Sequence, residues 1–263
     1  VPAWKRIWGL SNATGFSAKN IEGLFKEKFV DLKMSELLKP CLITTYNMAT
    51  KSSFFFSSRE EQTRREFFVR DVARSTSAAP TYFAPAKVKN IAPSPVKDED
   101  PVSMVNIDGG VFANNPSMCA YAEARHTNFT KDGRDFDEPK ASEMLILSIG
   151  TGGGSFELPE IKKSHKWGVL NWAKSIPEIM MDGSVDTVAF QMNEIFGTLK
   201  EENHKCYLRI DVPKDARKYA PDMSDASPEN LEKLKMAGEE TLKQGISKGL
   251  DGFIDLLIDK PTA

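Results

Sequence analysis

The sequence predicts an α/β protein with a mainly parallel central sheet. Residues 41–46, 104–107 and 143–149 are short apolar runs rich in β-branched or aliphatic side chains, as buried strands are. Segments with the helical spacing of apolar residues lie between these runs, and strands that alternate with helices are typical of parallel sheets. No internal repeat or linker divides the chain, so we expect one domain over residues 1–263.

The N-terminal half carries the signals of two helices and two further strands. Ser17 is placed to cap a helix over residues 18–29, in which apolar side chains share one face. Residues 67–79 have helical spacing, and Pro80 ends that helix. The further strands are predicted at residues 53–57 and 86–88.

The C-terminal half carries three helical segments and one more strand. Asn115, followed by a proline, is expected to cap a helix, because asparagine is favoured before a helix and proline at its first position. Residues 167–200 are expected to form two helices broken at Pro177 or at the following Asp-Gly pair. Ser227 opens a long final helix. The strand is predicted at residues 204–211.

Composition excludes several classes of function. The charges nearly cancel, with 35 lysines and arginines against 37 aspartates and glutamates, so no net field favours nucleic acid as a partner. Three widely spaced cysteines form no C-x-x-C pair, which favours a reducing compartment such as the cytoplasm. No apolar run approaches the roughly 20 residues of a membrane span, so we expect lipid contact only at a membrane surface.

Asp108 is the candidate catalytic carboxylate. It belongs to one of four Asp-Gly pairs, which are common turn dipeptides, but only Asp108 follows a buried-looking strand and precedes two glycines. Active sites collect at the carboxyl ends of parallel strands. Gly109 and Gly110 would let the backbone take a positive φ or let another segment approach closely. From these residues alone, a turn and a catalytic site are equally good interpretations.

Other candidate motifs have simpler explanations. Residues 150–154 are glycine-rich, but they lack the lysine of a phosphate loop, so a tight turn is preferred. The histidines share no metal-ligand spacing, and no metal site is predicted. Residues 167–180 are apolar and aromatic and are flanked by lysines, which fits either a lipid-facing lid or a core-facing amphipathic helix. The histidines are His126, His165 and His204.

A serine nucleophile requires its own motif. In α/β hydrolases the serine stands in a G-x-S-x-G pattern at a strand-to-helix turn. None of the strand-to-helix turns predicted from this sequence carries that pattern. Residues 9–13 lack the last glycine, and Ser155 does not fit either.

Four segments form a combination that is more specific than any one of them. They are LLKP at 37–40 followed by ITTY at 43–46, ARSTSAAPTYF at 73–83, IDGGVFANNP at 107–116, and LILSIGTG at 145–152. In order and spacing, these segments resemble the patatin-like phospholipase family, and the likeness covers most of the chain.

The resemblance implies a three-layer α/β/α fold and hydrolysis of lipid acyl esters by a Ser-Asp dyad. It identifies Asp108 as the dyad carboxylate, with Gly109 and Gly110 completing the D-G-G motif. This role suits a carboxylate, because a serine hydroxyl needs a base within hydrogen-bond reach to become a nucleophile. The substrate implied is a lipid or phospholipid, and no metal or organic cofactor is implied.

The residues upstream of these segments lack one part of the family pattern. The family carries a glycine-rich oxyanion loop and its G-x-S-x-G serine upstream of them. We therefore expect residues 1–263 to be the C-terminal, aspartate-bearing portion of such a domain, with the serine in an N-terminal segment outside this sequence. The alternatives are a catalytically inactive domain that binds lipid or a partner, a second chain that supplies the serine, and an unrelated α/β protein that binds phosphate at residues 150–154.

Overall fold

The computed structural model describes residues 15–59, 63–95, 102–129, 138–152, 168–200, 206–220, 222 and 224–259. The chain divides into two compact units, residues 1–114 and residues 115–263. Both units contain helices and strands, which agrees with the predicted α/β class.

The first unit holds a four-stranded sheet with helices. Its elements are α1 (Lys19–Phe29), a 3-10 turn (Met34–Glu36), β1 (Leu42–Asn47), β2 (Ser52–Ser57), α2 (Val69–Thr76), β3 (Ala86–Lys89), β4 (Ser103–Asp108) and α3 (Gly110–Ala113). The strand order is β2-β1-β4-β3. The predicted helix at residues 18–29 and the predicted strands of this unit are therefore present.

The prediction of a mainly parallel sheet is wrong for this unit. β1 pairs antiparallel with both β2 and β4, and β3 pairs antiparallel with β4. β1 and β2 are joined by a short turn at residues 48–51, in which Lys51 has a φ of 54°. Parallel neighbours need a much longer crossover connection. An apolar run looks the same in a buried strand of either direction, so the sequence could not distinguish them.

Aromatic side chains form the core of the first unit. Phe56 of β2 and Phe67, just before α2, are almost fully buried, and their ring centroids lie 4.9 Å apart. Met104 of β4 and Val72 of α2 belong to the same cluster. Burying one such side chain contributes about 1.5–3 kcal/mol. This core packs α2 against the sheet and so holds β4, whose last residue is Asp108.

The second unit contains a short parallel sheet and longer helices. Its elements are α4 (Ser117–Arg125), a 3-10 turn (Ala141–Glu143), β5 (Ile146–Ile149), α5 (Val169–Gly197), β6 (Tyr207–Ile210), a 3-10 turn (Lys214–Ala216), α6 (Pro228–Ser247) and α7 (Leu250–Asp259). β5 and β6 are parallel and are connected through α5. The predicted β-α-β arrangement is therefore present here, around a core that includes Met192, Phe196 and Tyr207.

Two helix boundaries differ from the prediction. α5 is one continuous helix with Pro177 inside it, although a break was expected there. A proline removes one backbone hydrogen bond, and the bonds of a 29-residue helix on both sides of Pro177 maintain its course. Conversely, the expected single final helix is interrupted between α6 and α7, where Gly249 has a φ of 99°. Such a left-handed glycine is a common helix terminator.

The start of α6 agrees with the prediction. The Ser227 hydroxyl accepts a hydrogen bond from the Asn230 N–H at 3.3 Å, and Pro228 occupies the first turn. This is the expected arrangement of an N-cap serine followed by proline.

Candidate active site

Asp108 lies where β4 ends and the short helix α3 begins. It is the last residue of the strand and is paired with Thr45 of β1. On the other side, β3 pairs with β4 only as far as Asn106. The Asp108 N–H instead donates to the Ala78 carbonyl at 3.1 Å. On the side of β3, the backbone of Asp108 is therefore held by the segment after α2, beyond the end of the β3 pairing.

The Asp108 carboxylate has one oxygen engaged and one available. Oδ1 accepts a hydrogen bond from the Gly110 N–H at 2.7 Å. Among the residues that the structure describes, no donor is hydrogen-bonded to Oδ2. The side chain is half-buried, and this burial raises the pKa of Asp108, while the Gly110 hydrogen bond lowers it by a smaller amount. A carboxylate with a raised pKa is a stronger base, so Oδ2 is suited to accept a proton.

Gly109 allows β1 to approach the D-G-G motif closely. Its φ is −70°, a value that any residue adopts, so a left-handed backbone is not the reason for glycine here. A Cβ at this position would overlap the Thr44 carbonyl and hydroxyl. Of the two explanations for the glycines, close approach of another segment is therefore the one that applies to Gly109.

Gly110 keeps space beside the carboxylate. A Cβ there would lie 3.2 Å from Asp108 Oδ1 and 3.4 Å from Asn114 Oδ1. These are tight contacts with the ends of side chains, not with a backbone. Because residue 110 has no Cβ, its N–H can lie close to the Asp108 carboxylate that accepts the hydrogen bond.

Thr45 is a residue of this site that the sequence analysis did not identify. It is fully buried, and its Oγ1 donates a hydrogen bond to the Ile107 carbonyl at 2.7 Å. A hydroxyl in an otherwise apolar buried strand is the available sequence signal, because a buried hydroxyl needs a partner. The identity of that partner, 62 positions further along the chain, required the strand pairing.

The polar side chain that precedes Asp108 on the same strand face is also buried. Asn106 lies two residues before Asp108, and its Nδ2 donates to the Ser75 hydroxyl of α2 at 3.3 Å. Asn106 and Ser75 are both fully buried. This bond ties α2 to β4 two residues before the carboxylate.

The glycine-rich turn after β5 belongs to the second unit. Gly152 has a φ of 83°, and its N–H donates to Asp211 Oδ1 at 2.9 Å. The same oxygen accepts the Val212 N–H at 2.8 Å, and Arg209 bonds the other oxygen at 2.7 Å. A protein carboxylate therefore already binds the amide that a phosphate would use. The Gly150 N–H continues the pairing with β6 by donating to the Ile210 carbonyl at 2.8 Å. Residues 153–154 lie outside the described residues, so the predicted tight turn stays a prediction.

A line of polar groups links β6, β5 and the start of α4. Arg209 donates to the Ser148 hydroxyl at 2.8 Å, and the Ser148 and Ser117 hydroxyls are 2.6 Å apart. Asn115 Oδ1 accepts from the Ser117 hydroxyl at 2.5 Å and from the Ser117 N–H at 3.2 Å. The helix is present as predicted, but it begins at Ser117 with Pro116 as its N-cap residue, so the prediction of Asn115 as the N-cap is wrong by one position.

The letters G-x-S-x-G do occur once in the chain, at residues 245–249, inside the segment predicted as the final helix. Ser247 is the last residue of α6, and its hydroxyl donates to the Gln244 carbonyl at 2.8 Å. A nucleophile of this kind requires a strand-to-helix turn, and Ser247 ends a helix. It also follows the aspartate in the chain, whereas the family has the serine first. The other two serine candidates, at residues 9–13 and 155, lie outside the described residues.

Exposed apolar side chains mark the first half of α5. Trp172, Ile176 and Met180 are exposed by 43%, 43% and 63%, and their spacing places them on one helix face. A core-facing helix would bury this face, so that interpretation is wrong for these three residues. The segment before residue 168 lies outside the described residues, so the lid itself remains a prediction.

The described part of the chain has neither a metal-binding cluster nor a membrane-spanning helix. It contains no group of three or more His, Cys, Asp or Glu side chains arranged to hold a metal ion. His126 is exposed at the end of α4, and His165 and His204 are not among the described residues. Within the same ranges, no helix combines the length and apolarity that a membrane span requires.

Comparison with known proteins supports the resemblance seen in the sequence. Residues 2–121, which include the D-G-G motif, match the family model described as patatin-like phospholipase. Patatin-like protein 6 of Arabidopsis thaliana is 30% identical over 85% of this chain and 43% of its own length. Patatin-like protein 2 of Oryza sativa subsp. indica is 29% identical over 93% of this chain and 64% of its own length. The predicted resemblance is confirmed, and the chain spans about half of the first relative and under two thirds of the second.

Proposed function

We propose that this chain, whose residues 2–121 match patatin-like phospholipases, supplies the catalytic aspartate of a lipid acyl hydrolase. The observation that carries the proposal is the environment of Asp108. Its carboxylate is half-buried, its pKa is raised by that burial, and Gly110 holds one oxygen while the other has no hydrogen-bond donor among the described residues. This is the arrangement that a general base for a serine hydroxyl needs.

The reaction proceeds through an acyl-serine intermediate. As the serine oxygen attacks the ester carbonyl, its proton passes to Oδ2 of Asp108. The protonated Asp108 then gives this proton to the departing alcohol, which leaves as a lysolipid or glycerol derivative. Water attacks the acyl-serine next, and its proton passes to Asp108. Release of the fatty acid returns the proton to the serine and regenerates the dyad.

The serine of this dyad lies outside residues 1–263 in our proposal, upstream of the D-G-G motif. Ser247 is the alternative inside the sequence, and its position at the end of α6 argues against it. The substrate is a lipid or phospholipid, and the exposed apolar face of α5 is the proposed peripheral contact with a membrane surface. The dyad mechanism uses only protein groups and water.

We also propose a domain organisation and a compartment for the chain. Both units would belong to one patatin-like domain with a three-layer α/β/α architecture, in a reducing compartment. Support comes from the relatives, which align with 85–93% of this chain and therefore with residues from both units.

The test compares ester hydrolysis by three proteins, each made as the longest native form that contains these residues. The wild-type protein is expected to hydrolyse p-nitrophenyl butyrate and a phosphatidylcholine vesicle. Asp108→Asn should abolish turnover, because an amide cannot accept the serine proton. Ser247→Ala is the matched control and should keep full activity.

Several outcomes would contradict the proposal. Unchanged turnover in Asp108→Asn would exclude the aspartate, and lost turnover in Ser247→Ala would exclude a serine upstream. A fluorophosphonate probe, mapped by mass spectrometry, should label a serine upstream of the D-G-G motif. A wild-type protein that binds the vesicle without hydrolysing either substrate would instead establish the catalytically inactive lipid-binding domain.

A further inference from the structure

We propose that Thr45 is a positioning residue, whose hydroxyl holds the peptide immediately before Asp108 and thereby orients the carboxylate. This inference rests on the proposed function of Asp108. It assigns a role in that reaction to a side chain on a different strand, which does not touch the substrate.

The peptide between Ile107 and Asp108 is held at both ends. Thr45 Oγ1 donates to the carbonyl of this peptide, that of Ile107, at 2.7 Å. The N–H of the same peptide, that of Asp108, donates to the Ala78 carbonyl at 3.1 Å. A peptide group is planar, so bonds to its oxygen and its nitrogen together fix the plane. That plane sets the direction in which the Asp108 side chain leaves the backbone.

The end of β4 needs this support because regular pairing stops there. The pairing with β3 ends at Asn106, and the pairing with β1 ends at Asp108 itself. Strand and helix ends open more readily than the middle of an element. A carboxylate at such an end would change its direction with each opening, and the two additional bonds prevent this.

The surroundings of Thr45 explain why the hydroxyl matters more than the side-chain volume. Thr45 is fully buried, and a valine would fill the same space without the hydrogen bond. The Ile107 carbonyl would then lose its side-chain donor. On the other side, the Ala78 contact comes from backbone atoms and persists in any Thr45 variant. Thr45→Val therefore removes the side-chain bond on the Ile107 carbonyl and leaves the strand pairing with Tyr46 and the Ala78 contact in place.

Positioning errors affect the rate more than binding, since a misplacement of about 1 Å can cost about 100-fold in rate. We expect Thr45→Val to lower kcat for p-nitrophenyl butyrate by about 10- to 100-fold and to change KM by less than about twofold. Thr45→Ser retains the hydroxyl and should recover kcat to within about threefold of the wild-type protein.

Thr127 provides the matched control. It is also buried, and its hydroxyl also donates to a backbone carbonyl, that of Glu123, at 2.7 Å. Thr127→Val therefore loses the same kind of hydrogen bond without any link to Asp108. It should keep kcat, so a shared loss of kcat in Thr45→Val and Thr127→Val would show a general structural effect and overturn the inference.

A double-mutant cycle separates this inference from the proposed function. All proteins are made as the longest native form and assayed well below their Tm. If Thr45 acts through Asp108, adding Thr45→Val to Asp108→Asn does not lower the residual turnover of that variant any further. A folded Thr45→Val protein with the wild-type kcat would refute the inference while leaving the function intact. An active Asp108→Asn protein would refute the proposed function itself.

Discussion

The glycines after Asp108 offer a comparison in which two adjacent substitutions of the same kind should differ strongly. In Gly109→Ala the new Cβ overlaps the backbone carbonyl of Thr44, in the middle of the paired strand β1. This overlap can be relieved only if β1 or β4 moves. Overpacking in a core costs about 1–3 kcal/mol, and a clash with a paired backbone lies at the upper end, so we expect a loss of about 3 kcal/mol.

Gly110→Ala meets a milder environment. Its Cβ would lie 3.2 Å from Asp108 Oδ1 and 3.4 Å from Asn114 Oδ1, and both atoms end rotatable side chains. Alanine is favoured over glycine in a helix interior by about 1 kcal/mol, and at the first residue of α3 a part of this gain offsets the crowding. The net change in stability is expected to be within about 1 kcal/mol.

Thermal unfolding of the two variants tests this comparison. For a domain of 150–250 residues, 1 kcal/mol corresponds to a shift in Tm of about 2–4 °C. Gly109→Ala should therefore lower the Tm by about 6–12 °C, and Gly110→Ala should change it by less than about 4 °C. Equal shifts in the two variants, or an unchanged Tm in Gly109→Ala, would refute the close approach of β1 as the reason for Gly109.

Four further predictions concern charge and capping. Burial raises the pKa of Asp108, so its ionisation at neutral pH opposes folding. Asp108→Asn should therefore raise the Tm at pH 7. This gain should vanish as the pH falls below the pKa of aspartate in the unfolded chain, about 3.9. The same raised pKa places the acid limb of kcat/KM above pH 3.9, the usual value for aspartate. Asp211→Ala removes the acceptor for Gly152 and Val212 and should cost about 3 kcal/mol, measured by urea unfolding. Ser227→Ala removes the α6 cap and should cost about 1 kcal/mol by the same measurement.

Controls make these predictions specific. Asp211→Asn keeps an oxygen acceptor for both N–H groups and should cost less than Asp211→Ala; equal losses would assign the effect to the charge alone. Ser227→Asp retains a capping oxygen and should preserve stability. For Asp108→Asn, a Tm difference from the wild-type protein that stays the same from pH 3 to pH 7 would contradict a titrating carboxylate as its cause.

Local patterns in the sequence were sufficient to identify several parts of the molecule. Ser227 and the proline after it predicted the start of α6, because a cap depends only on residues within one helical turn. Asp108 was predicted at the end of a strand because the apolar run and the two glycines are contiguous, whereas the short helix α3 that follows it was not predicted. Even so, the sequence alone left Asp108 as either a turn residue or a catalytic group.

Pairing directions could not be predicted in the same way. An apolar run shows that a strand is buried and says nothing about the direction of its neighbour, so the four-stranded sheet was wrongly expected to be mainly parallel. Pro177 is a second example. A proline is a helix breaker locally, but the 29 residues of α5 form one helix because the turns on both sides remain bonded.

The sequence by itself determined the α/β composition, the D-G-G motif and the likeness to patatin-like phospholipases. Only the tertiary structure decided how Asp108 is held. Its N–H bonds a carbonyl 30 positions earlier in the chain, and the carbonyl before it receives the hydroxyl of Thr45, 62 positions earlier. Neither contact leaves a local pattern, because each depends on which strand and which loop meet β4. The direction of the carboxylate is therefore a property of the packed sheet, whereas the carboxylate itself is a property of the chain.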